Sequence, residues 1–466
     1  MNNLKNKRVL VMGLGLHGGG LATTLWLAKM GALVTVTDLK TKEQLKSSLD
    51  KIPAAIKSRV NFVLGENRED DFRENDIIIQ NPAVPRDSKY LKIARAAGAI
   101  IENDASLFFK SCPSPIIGVT GTRGKSTTAT LIYEFLKYGR RQIFLAGLPQ
   151  KPELGILPKV KKDDLAVLEL SSWQLEVIGA QHISPSVAVI TNVFPDHLNR
   201  YRGMADYTAA KKNIFLHQHL NNFAILNYDN EITRRLGSDV RGVRLWFSKK
   251  NLPEQNGCFV IGGKIIFRLN GKETVMAQQK DVKLLGLHNL ENVLAAMAVA
   301  GIYQISPVAI KKVLVNFNGL PNRLEFIREI KRVKYINDTT ATTPDGTMAA
   351  LSALGGRKNI ILIAGGSSKN IPNDKYLQLA KLAKKSVKAI VLFAGQGSDQ
   401  FLSQLKKNGF KDLIYDVKTM AQALILAKKF AFAGDIILLS PACASFGLFV
   451  NEFERGEQFR VLVKKM

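Results

Sequence analysis

The sequence predicts an α/β protein of three domains, each built on a doubly wound, mainly parallel sheet. Apolar, β-branched segments of strand length alternate with helical segments along the chain, which is typical of parallel sheets covered by helices. Two of the predicted strands run directly into glycine-rich loops that open helices. The length of 466 residues accommodates about two to four domains.

The composition excludes several classes of protein. Hydrophobic residues make up 46% and charged residues 23% of the chain, which argues against a disordered or collagen-like protein. The cysteines, Cys112, Cys258 and Cys443, are far apart, so they form no disulfide framework or metal-ligand motif and favour the reducing cytoplasm. The uncharged stretch 292–310 contains polar residues and a proline, so we predict a buried helix and no membrane partner.

The net charge is strongly positive, with 66 Lys and Arg against 39 Asp and Glu, giving +27. Such an excess raises the alternative of an NTPase that binds nucleic acid. The basic clusters are short and lack interleaved aromatic residues. We therefore predict no specific nucleic-acid partner, and binding of DNA or RNA at physiological salt would test this.

The first chemical motif lies between residues 7 and 38, which read as strand, glycine loop, helix and strand. Gly13, Gly15 and Gly18 fit G-x-G-x-x-G, and Asp38 ends the second strand. Such a loop admits a diphosphate at a helix N-terminus, and the acid can bind sugar hydroxyls. Taken alone, the motif fits NAD and an oxidoreductase, another nucleotide, or a tight turn without a ligand.

The second motif is GVTGTRGKST, preceded by an apolar strand and followed by a helix. It is similar to a Walker A loop, with Gly124, Lys125 and Ser126 as its core, although Val119 stands where the strict pattern has glycine. Lys125 can meet the β- and γ-phosphates, and Ser126 or Thr127 can hold Mg²⁺. The motif predicts nucleoside triphosphate binding, and two nucleotide-type loops argue against a simple dehydrogenase.

Polar residues at the ends of later strands extend this second site. Glu169 ends the strand of LAVLEL, and Asp196 and His197 follow the strand VAVI. Ligands of open α/β sheets bind outside the carboxyl ends of strands. We therefore expect these side chains near the phosphate loop, where a carboxylate suits Mg²⁺.

The third set of polar residues follows strands in the last part of the chain, within the segments YINDTTATTP, AGGSSK and SPACASF. These segments bring Asp338, Thr342, Lys369 and Ser445 to one sheet edge. Lys369, next to a Gly-Gly turn, is suited to bind a carboxylate or a phosphate. We place the domain boundaries so that the three domains span residues 1–108, 109–318 and 319–466.

Taken in order, these motifs resemble the Mur ligase superfamily over nearly the whole chain. LELSSWQLE, TNVFPDHLNRY, GLHNLENVLAA, GLPNRLE and LSPACASFG are most similar to the members that add D-glutamate to UDP-N-acetylmuramoyl-L-alanine. The resemblance implies a Rossmann-like first domain for the uridine substrate, a central P-loop ATPase-type domain and a Rossmann-like third domain for the amino acid. It implies a monomeric cytoplasmic ligase that makes peptidoglycan precursors for the cell wall through an acyl phosphate.

The resemblance also implies roles for individual residues. Those that bind ATP are Gly121, Thr122, Arg123, Gly124, Lys125, Ser126, Thr127, Asn289, Asn292, Arg323 and Asp338. Those that bind the UDP substrate are Gly15, Leu16, His17, Asp38 and Asn81. Those that bind the incoming amino acid are Thr342, Lys369, Ser445 and Phe446. Those that act in catalysis or hold two Mg²⁺ ions are Lys125, Ser126, Glu169, His197 and Lys211, with Lys211 carbamylated.

Three positions in the third domain depart from the family pattern. Thr340 stands where the family usually has a lysine, Thr343 where it has an asparagine, and Glu452 where a phenylalanine is usual. An acid near a dianionic amino acid is unfavourable. A sister ligase that adds L-glutamate or another amino acid, or a folylpolyglutamate-type ligase, is therefore the alternative, and a panel of amino acids distinguishes them.

Overall fold

The computed structural model describes residues 4–16, 18–82, 84–148, 151–196, 200–284, 286–355, 357–369 and 371–466. The chain divides into two compact units, one of residues 1–282 with 290–315 and one of residues 283–289 with 316–466. The first unit contains two sheets and the second unit contains one.

The first sheet is five-stranded and entirely parallel, in the order β3-β2-β1-β4-β5. Its elements are β1 (Arg8–Met12), α1 (Gly19–Lys29), β2 (Leu33–Asp38), α2 (Lys46–Leu49), α3 (Ala54–Lys57), β3 (Val60–Leu64), α4 (Glu69–Glu74), β4 (Ile77–Ile79), α5 (Lys89–Ala96), β5 (Ile100–Glu102) and α6 (Asp104–Ser111). The order reverses beside β1, so the glycine loop that follows β1 opens into the crevice where such sheets bind ligands.

The second sheet has nine strands in the order β14-β13-β12-β11-β10-β9-β6-β8-β7. Its elements are β6 (Ile116–Thr120), α7 (Lys125–Leu136), β7 (Ile143–Ala146), α8 (Glu153–Ile156), β8 (Leu165–Glu169), α9 (Ser172–Ala180), β9 (Val187–Ile190), α10 (Met204–Leu216), β10 (Phe223–Asn227), α11 (Glu231–Leu236), β11 (Val243–Ser248), β12 (Gly257–Ile261), β13 (Lys264–Leu269), β14 (Lys272–Gln278), α12 (Leu287–Ile302) and α13 (Pro307–Asn316). Strand β6 is buried along its whole length, as a central parallel strand requires. Strands β12 to β14 pair antiparallel at one edge of the sheet.

The third sheet has six strands in the order β15-β16-β20-β17-β18-β19. Its elements are β15 (Glu325–Ile330), β16 (Val333–Asn337), α14 (Pro344–Leu354), β17 (Ile360–Gly365), α15 (Asn373–Ser386), β18 (Val387–Phe393), α16 (Gln396–Lys407), β19 (Leu413–Val417), α17 (Met420–Phe430), β20 (Ile436–Leu439) and α18 (Glu452–Lys465). All neighbours are parallel except β15 and β16, which form a hairpin.

The three mainly parallel sheets confirm the predicted α/β class. The boundaries at 108/109 and 318/319 stay predictions, because the compact units divide the chain once and the first unit holds two sheets. Among the described residues, no helix has the length and apolar character needed to cross a membrane.

Candidate active site

The phosphate loop connects β6 to α7, and at two positions its backbone has a conformation that residues other than glycine rarely adopt. Gly121 has φ +151° and Gly124 has φ +82°. A Cβ on Gly121 would lie 1.9 Å from Thr191 Oγ1, and one on Gly124 would lie 2.1 Å from Asn292 Oδ1. Lys125 Nζ donates to the Gly121 carbonyl at 3.2 Å. The loop therefore ends at a helix N-terminus with a lysine folded over it, which is an anion-binding arrangement.

Two residues that the sequence analysis did not single out support this loop. Thr191 Oγ1 donates to the Arg123 carbonyl at 2.6 Å. Asn192 accepts from the Arg123 N–H at 2.9 Å and donates to its carbonyl at 3.1 Å. The signal that could have found both residues is their position directly after β9, at the carboxyl end of a central parallel strand.

Glu169 and Lys211 lie against the same loop. Glu169 Oε1 is 4.0 Å from Lys125 Nζ, and Glu169 Oε2 is buried without a hydrogen-bond partner among the described residues. Lys211 is 2% exposed, donates to the Gly121 carbonyl at 2.8 Å and lies over the Tyr207 ring. Burial lowers the pKa of Lys211 well below its ordinary value, and the nearby Lys125 lowers it further.

These residues fit a magnesium ion. A buried carboxylate oxygen without a partner costs free energy unless something satisfies it, and Mg²⁺ prefers oxygen ligands. Ser126, in the first turn of α7, is also buried. The described residues contain no group of three His, Cys, Asp or Glu side chains that could hold a metal, and His197 lies outside them.

Asn292 is an ATP-binding candidate that the structure places against the phosphate loop. It is 4% exposed, and its Oδ1 accepts from Thr128 Oγ1 at 3.4 Å. Asn289, Arg323 and Asp338 belong to the second compact unit.

The glycine loop of the first sheet borders a pocket of about 220 Å³. Gly15, Leu16 and Asn81 line it, as does Asp104 at the start of α6. Asp38 is 8% exposed and shapes the loop, because its carboxylate accepts from the N–H of Gly15 at 3.0 Å and from that of Lys40 at 2.9 Å. His17 lies outside the described residues.

The third sheet brings the amino-acid candidates to its carboxyl edge. Lys369 Nζ donates to Thr342 Oγ1 at 2.7 Å, while Ser445 is 3% and Phe446 64% exposed. Two backbone hydrogen bonds, of 3.0 and 3.1 Å, connect Ser367 with Ala444, so the loops that carry Lys369 and Ser445 are joined.

Electrostatics at this edge combine buried groups of both signs. Burial lowers the pKa of Lys369, and the carboxylate of Glu452 partly offsets that effect. Asp338 accepts from Ser440 Oγ at 2.8 Å and from the Leu324 N–H at 3.1 Å, yet burial raises the pKa of Asp338 to about 7.

Arg455 is a further residue that the sequence analysis did not single out. It is completely buried and donates to Thr339 Oγ1 at 3.0 Å and to the Cys443 carbonyl at 3.4 Å. It thus ties α18 to both neighbouring loops. Thr340, which stands in place of the family's lysine, donates to the Asn322 carbonyl at 2.9 Å.

Three family models match the chain. Residues 7–102 match the Mur ligase MurD-like N-terminal domain, residues 119–300 the Mur ligase middle domain, and residues 322–443 the Mur ligase, glutamate ligase domain.

Two proteins that are similar to this chain over nearly its whole length share the same name. UDP-N-acetylmuramoylalanine–D-glutamate ligase of Roseiflexus sp. (strain RS-1) is 41% identical, with 99% of each chain covered. The protein of that name from Acetivibrio thermocellus is 36% identical, with 99% of this chain and 97% of the relative covered.

Solved structures show the same fold at lower identity. UDP-N-acetylmuramate-alanine ligase MurC from Thermotoga maritima has a TM-score of 0.61 at 19% identity, with 98% of this chain and 99% of that chain covered. The MurF ligase from Thermotoga maritima in complex with ADP has a TM-score of 0.56 at 18% identity, with 99% and 96% covered. Because relatives above 30% identity match the chain from end to end, the chain belongs to the Mur ligase family.

Proposed function

We propose that this chain catalyses the ATP-dependent addition of D-glutamate to UDP-N-acetylmuramoyl-L-alanine, in cytoplasmic synthesis of peptidoglycan precursors. One observation supports the proposal most strongly: the side chains of Lys125, Glu169 and Lys211 all lie at the phosphate loop, whose conformation depends on glycine. The full-length relatives named as D-glutamate ligases support the choice of reaction.

The reaction has two steps, because a carboxylate is a poor electrophile. A carboxylate oxygen of the L-alanyl group forms a bond to the γ-phosphorus of ATP, and ADP leaves. The amine of D-glutamate then attacks the carbonyl carbon of the acyl phosphate, loses a proton, and displaces inorganic phosphate as the amide forms. Both steps move negative charge on phosphoryl oxygens, which positioned cations and backbone N–H groups stabilise.

Lys125 and the N-terminus of α7 are placed to stabilise that charge. Ser126 and Glu169 would hold one Mg²⁺, and His197 with Lys211 would hold a second. Bound there, the metal would neutralise charge on the β- and γ-phosphates. Glu169 Oε2 is buried and has no hydrogen-bond partner among the residues that the structure describes, which supports this assignment.

Lys211 is suited to carbamylation. Its lowered pKa favours the neutral amine, which adds CO2 to form a carbamate and release a proton. The carbamate places an anion beside Lys125 where an amine stood, so Lys125 gains an attractive charge contact. Carbamate oxygens would also supply the ligands that Mg²⁺ prefers.

The remaining assignments follow the same reasoning. The pocket beside Gly15, Leu16 and Asn81 would take the uridine diphosphate, with the backbone of the glycine loop toward the anion. Thr342, Lys369, Ser445 and Phe446 would take D-glutamate, whose two carboxylates suit a lysine and hydroxyl groups. Asn289, Asn292, Arg323 and Asp338 would contact ATP. We propose a monomer of three domains, 1–108, 109–318 and 319–466.

Release of inorganic phosphate tests the proposal. Purified protein with Mg-ATP and UDP-N-acetylmuramoyl-L-alanine receives D-glutamate, L-glutamate or another amino acid in separate tubes. Release with D-glutamate is expected, whereas release only with a different amino acid would move the specificity to the sister reaction. Lys125→Ala should abolish release without unfolding the protein. Lys137→Ala, at the exposed C-terminal end of the same helix, is the matched control and should keep wild-type activity.

A further inference from the structure

The pocket proposed to bind uridine diphosphate, here called the uridine pocket, has a wall that is held in place by a residue of the second sheet's domain. Residues 80–82 and 84–86, here called the β4 loop, follow β4 and contribute Asn81 and Pro82 to the pocket lining. Arg200, which follows β9 of the second sheet, donates from Nη1 to the Pro82 carbonyl at 2.7 Å and from Nη2 to the Val84 carbonyl at 3.0 Å. One guanidinium thus fixes two carbonyls of the loop that lines the pocket.

Arg200 is itself clamped by helix α9. Its guanidinium lies 4.5 Å from the centre of the Trp173 ring, and Nη2 is 3.9 Å from Glu176 Oε2. The side chain is 13% exposed. A planar cation stacked on an aromatic ring and forked onto two acceptors has little freedom left, and a lysine cannot reproduce that geometry.

Helix α9 and the segment that carries Arg200 are both close in sequence to residues of the proposed ATP site. Helix α9 begins three residues after Glu169. The segment that carries Arg200 begins at Asn192, which binds the phosphate loop through Arg123.

We propose that Arg200 is a positioning residue for the nucleotide-sugar substrate: it fixes the β4 loop against the second sheet through the Pro82 and Val84 carbonyls, so the uridine pocket is complete only when the two sheets are docked. This inference rests on the proposed function, since it takes the pocket to bind a uridine diphosphate. It predicts that Arg200 governs affinity for that substrate and leaves affinity for ADP unchanged.

A nearby arginine offers a matched control. Arg86 also joins the two sheets, with Nη1 3.5 Å from Glu176 Oε1 and Nη2 2.8 Å from Asp206 Oδ2. Its side chain is 46% exposed, so these ion pairs are screened and weak. Arg86 is part of the loop and donates to neither the Pro82 nor the Val84 carbonyl.

The test measures dissociation constants of UDP-N-acetylmuramoyl-L-alanine, UDP and ADP by calorimetry for the full-length wild type, Arg200→Lys, Arg200→Met and Arg86→Ala. Losing hydrogen bonds from a charged donor should weaken binding of both uridine ligands roughly 10- to 100-fold in the two Arg200 variants. ADP binding should stay within about twofold, and Arg86→Ala should bind all three like the wild type. In steady state, KM for the UDP substrate should rise more than kcat falls.

Three results would overturn the inference. One is unchanged affinity for the uridine ligands in both Arg200 variants. Another is a parallel loss of uridine and ADP binding, which would indicate general loss of structure. The third is an equal loss in Arg86→Ala, which would assign the effect to any contact between the sheets. A wild type that binds no uridine ligand would instead refute the proposed function, so the two failures are distinguishable.

Discussion

Gly124→Ala is the substitution whose effect the structure defines best. The residue has φ +82°, where an L-residue costs roughly 1–2 kcal/mol. The added Cβ would lie 2.1 Å from Asn292 Oδ1, and Asn292 is 4% exposed, so it has little room to move. Overpacking of this kind typically costs about 1–3 kcal/mol of free energy, because the neighbouring atoms must shift. Because Asn292 and the phosphate loop form the proposed ATP site, the overpacking term should appear as weaker nucleotide binding.

Calorimetric titration with ADP measures that term. A cost of about 1–3 kcal/mol corresponds to an affinity roughly 5- to 150-fold lower. Gly98→Ala is the control, because Gly98 has φ +81° with no atom within 4 Å of the added Cβ. It shares the backbone cost and should bind ADP like the wild type. If Gly124→Ala binds ADP with an affinity within about twofold of the wild type, the contact between the added Cβ and Asn292 does not weaken nucleotide binding.

Three further predictions concern the titratable groups. Activity should fall when bicarbonate is removed, because the carbamate forms from CO2. It should also fall as pH drops, because protonation of the Lys211 amine blocks carbamylation, and Lys211→Arg should be inactive. Activity that does not depend on bicarbonate would argue against a carbamate. Glu452→Gln should lower KM for D-glutamate about two- to tenfold by removing a like charge, whereas Glu457→Gln, on the same helix, should not. The pKa of Asp338 is raised from 3.8 to about 7, so its contribution to stability is full below pH 4 and is lost as pH rises toward 7. Asp338→Asn should flatten that slope of urea-unfolding midpoint against pH, and an unchanged slope would exclude Asp338 as its source.

The phosphate loops could be predicted because local sequence alone dictates them. Gly121 and Gly124 adopt positive φ values that other residues rarely adopt, and the flanking strand and helix are strongly patterned. Glu169 could be placed near the loop because parallel strands end at a common edge. In the same way, the joined loops of Lys369 and Ser445 follow from strands β17 and β20, which are neighbours.

Contacts between distant segments could not be predicted. Arg200 meets carbonyls more than a hundred residues away, and nothing in NRY identifies a backbone acceptor. Gln174 belongs to the motif LELSSWQLE, but the sequence does not indicate its partners. Its Nε2 donates to Asp104 Oδ1 at 3.1 Å and to Glu153 Oε1 at 2.8 Å. Strands β15 and β19 are also poorly marked in the sequence. Their positions at the two edges of the sheet allow polar, half-exposed residues, which weaken the apolar pattern.

Transfer of an oxygen label tests most directly whether the ligase activates its substrate as an acyl phosphate. UDP-N-acetylmuramoyl-L-alanine carrying ¹⁸O in both oxygens of its alanyl carboxylate is incubated with Mg-ATP and D-glutamate until product forms, and the released phosphate is analysed by mass. An acyl-phosphate mechanism predicts one ¹⁸O in each phosphate released, because the carboxylate oxygen that attacks ATP leaves with the phosphoryl group. Amide product accompanied by unlabelled phosphate would contradict it.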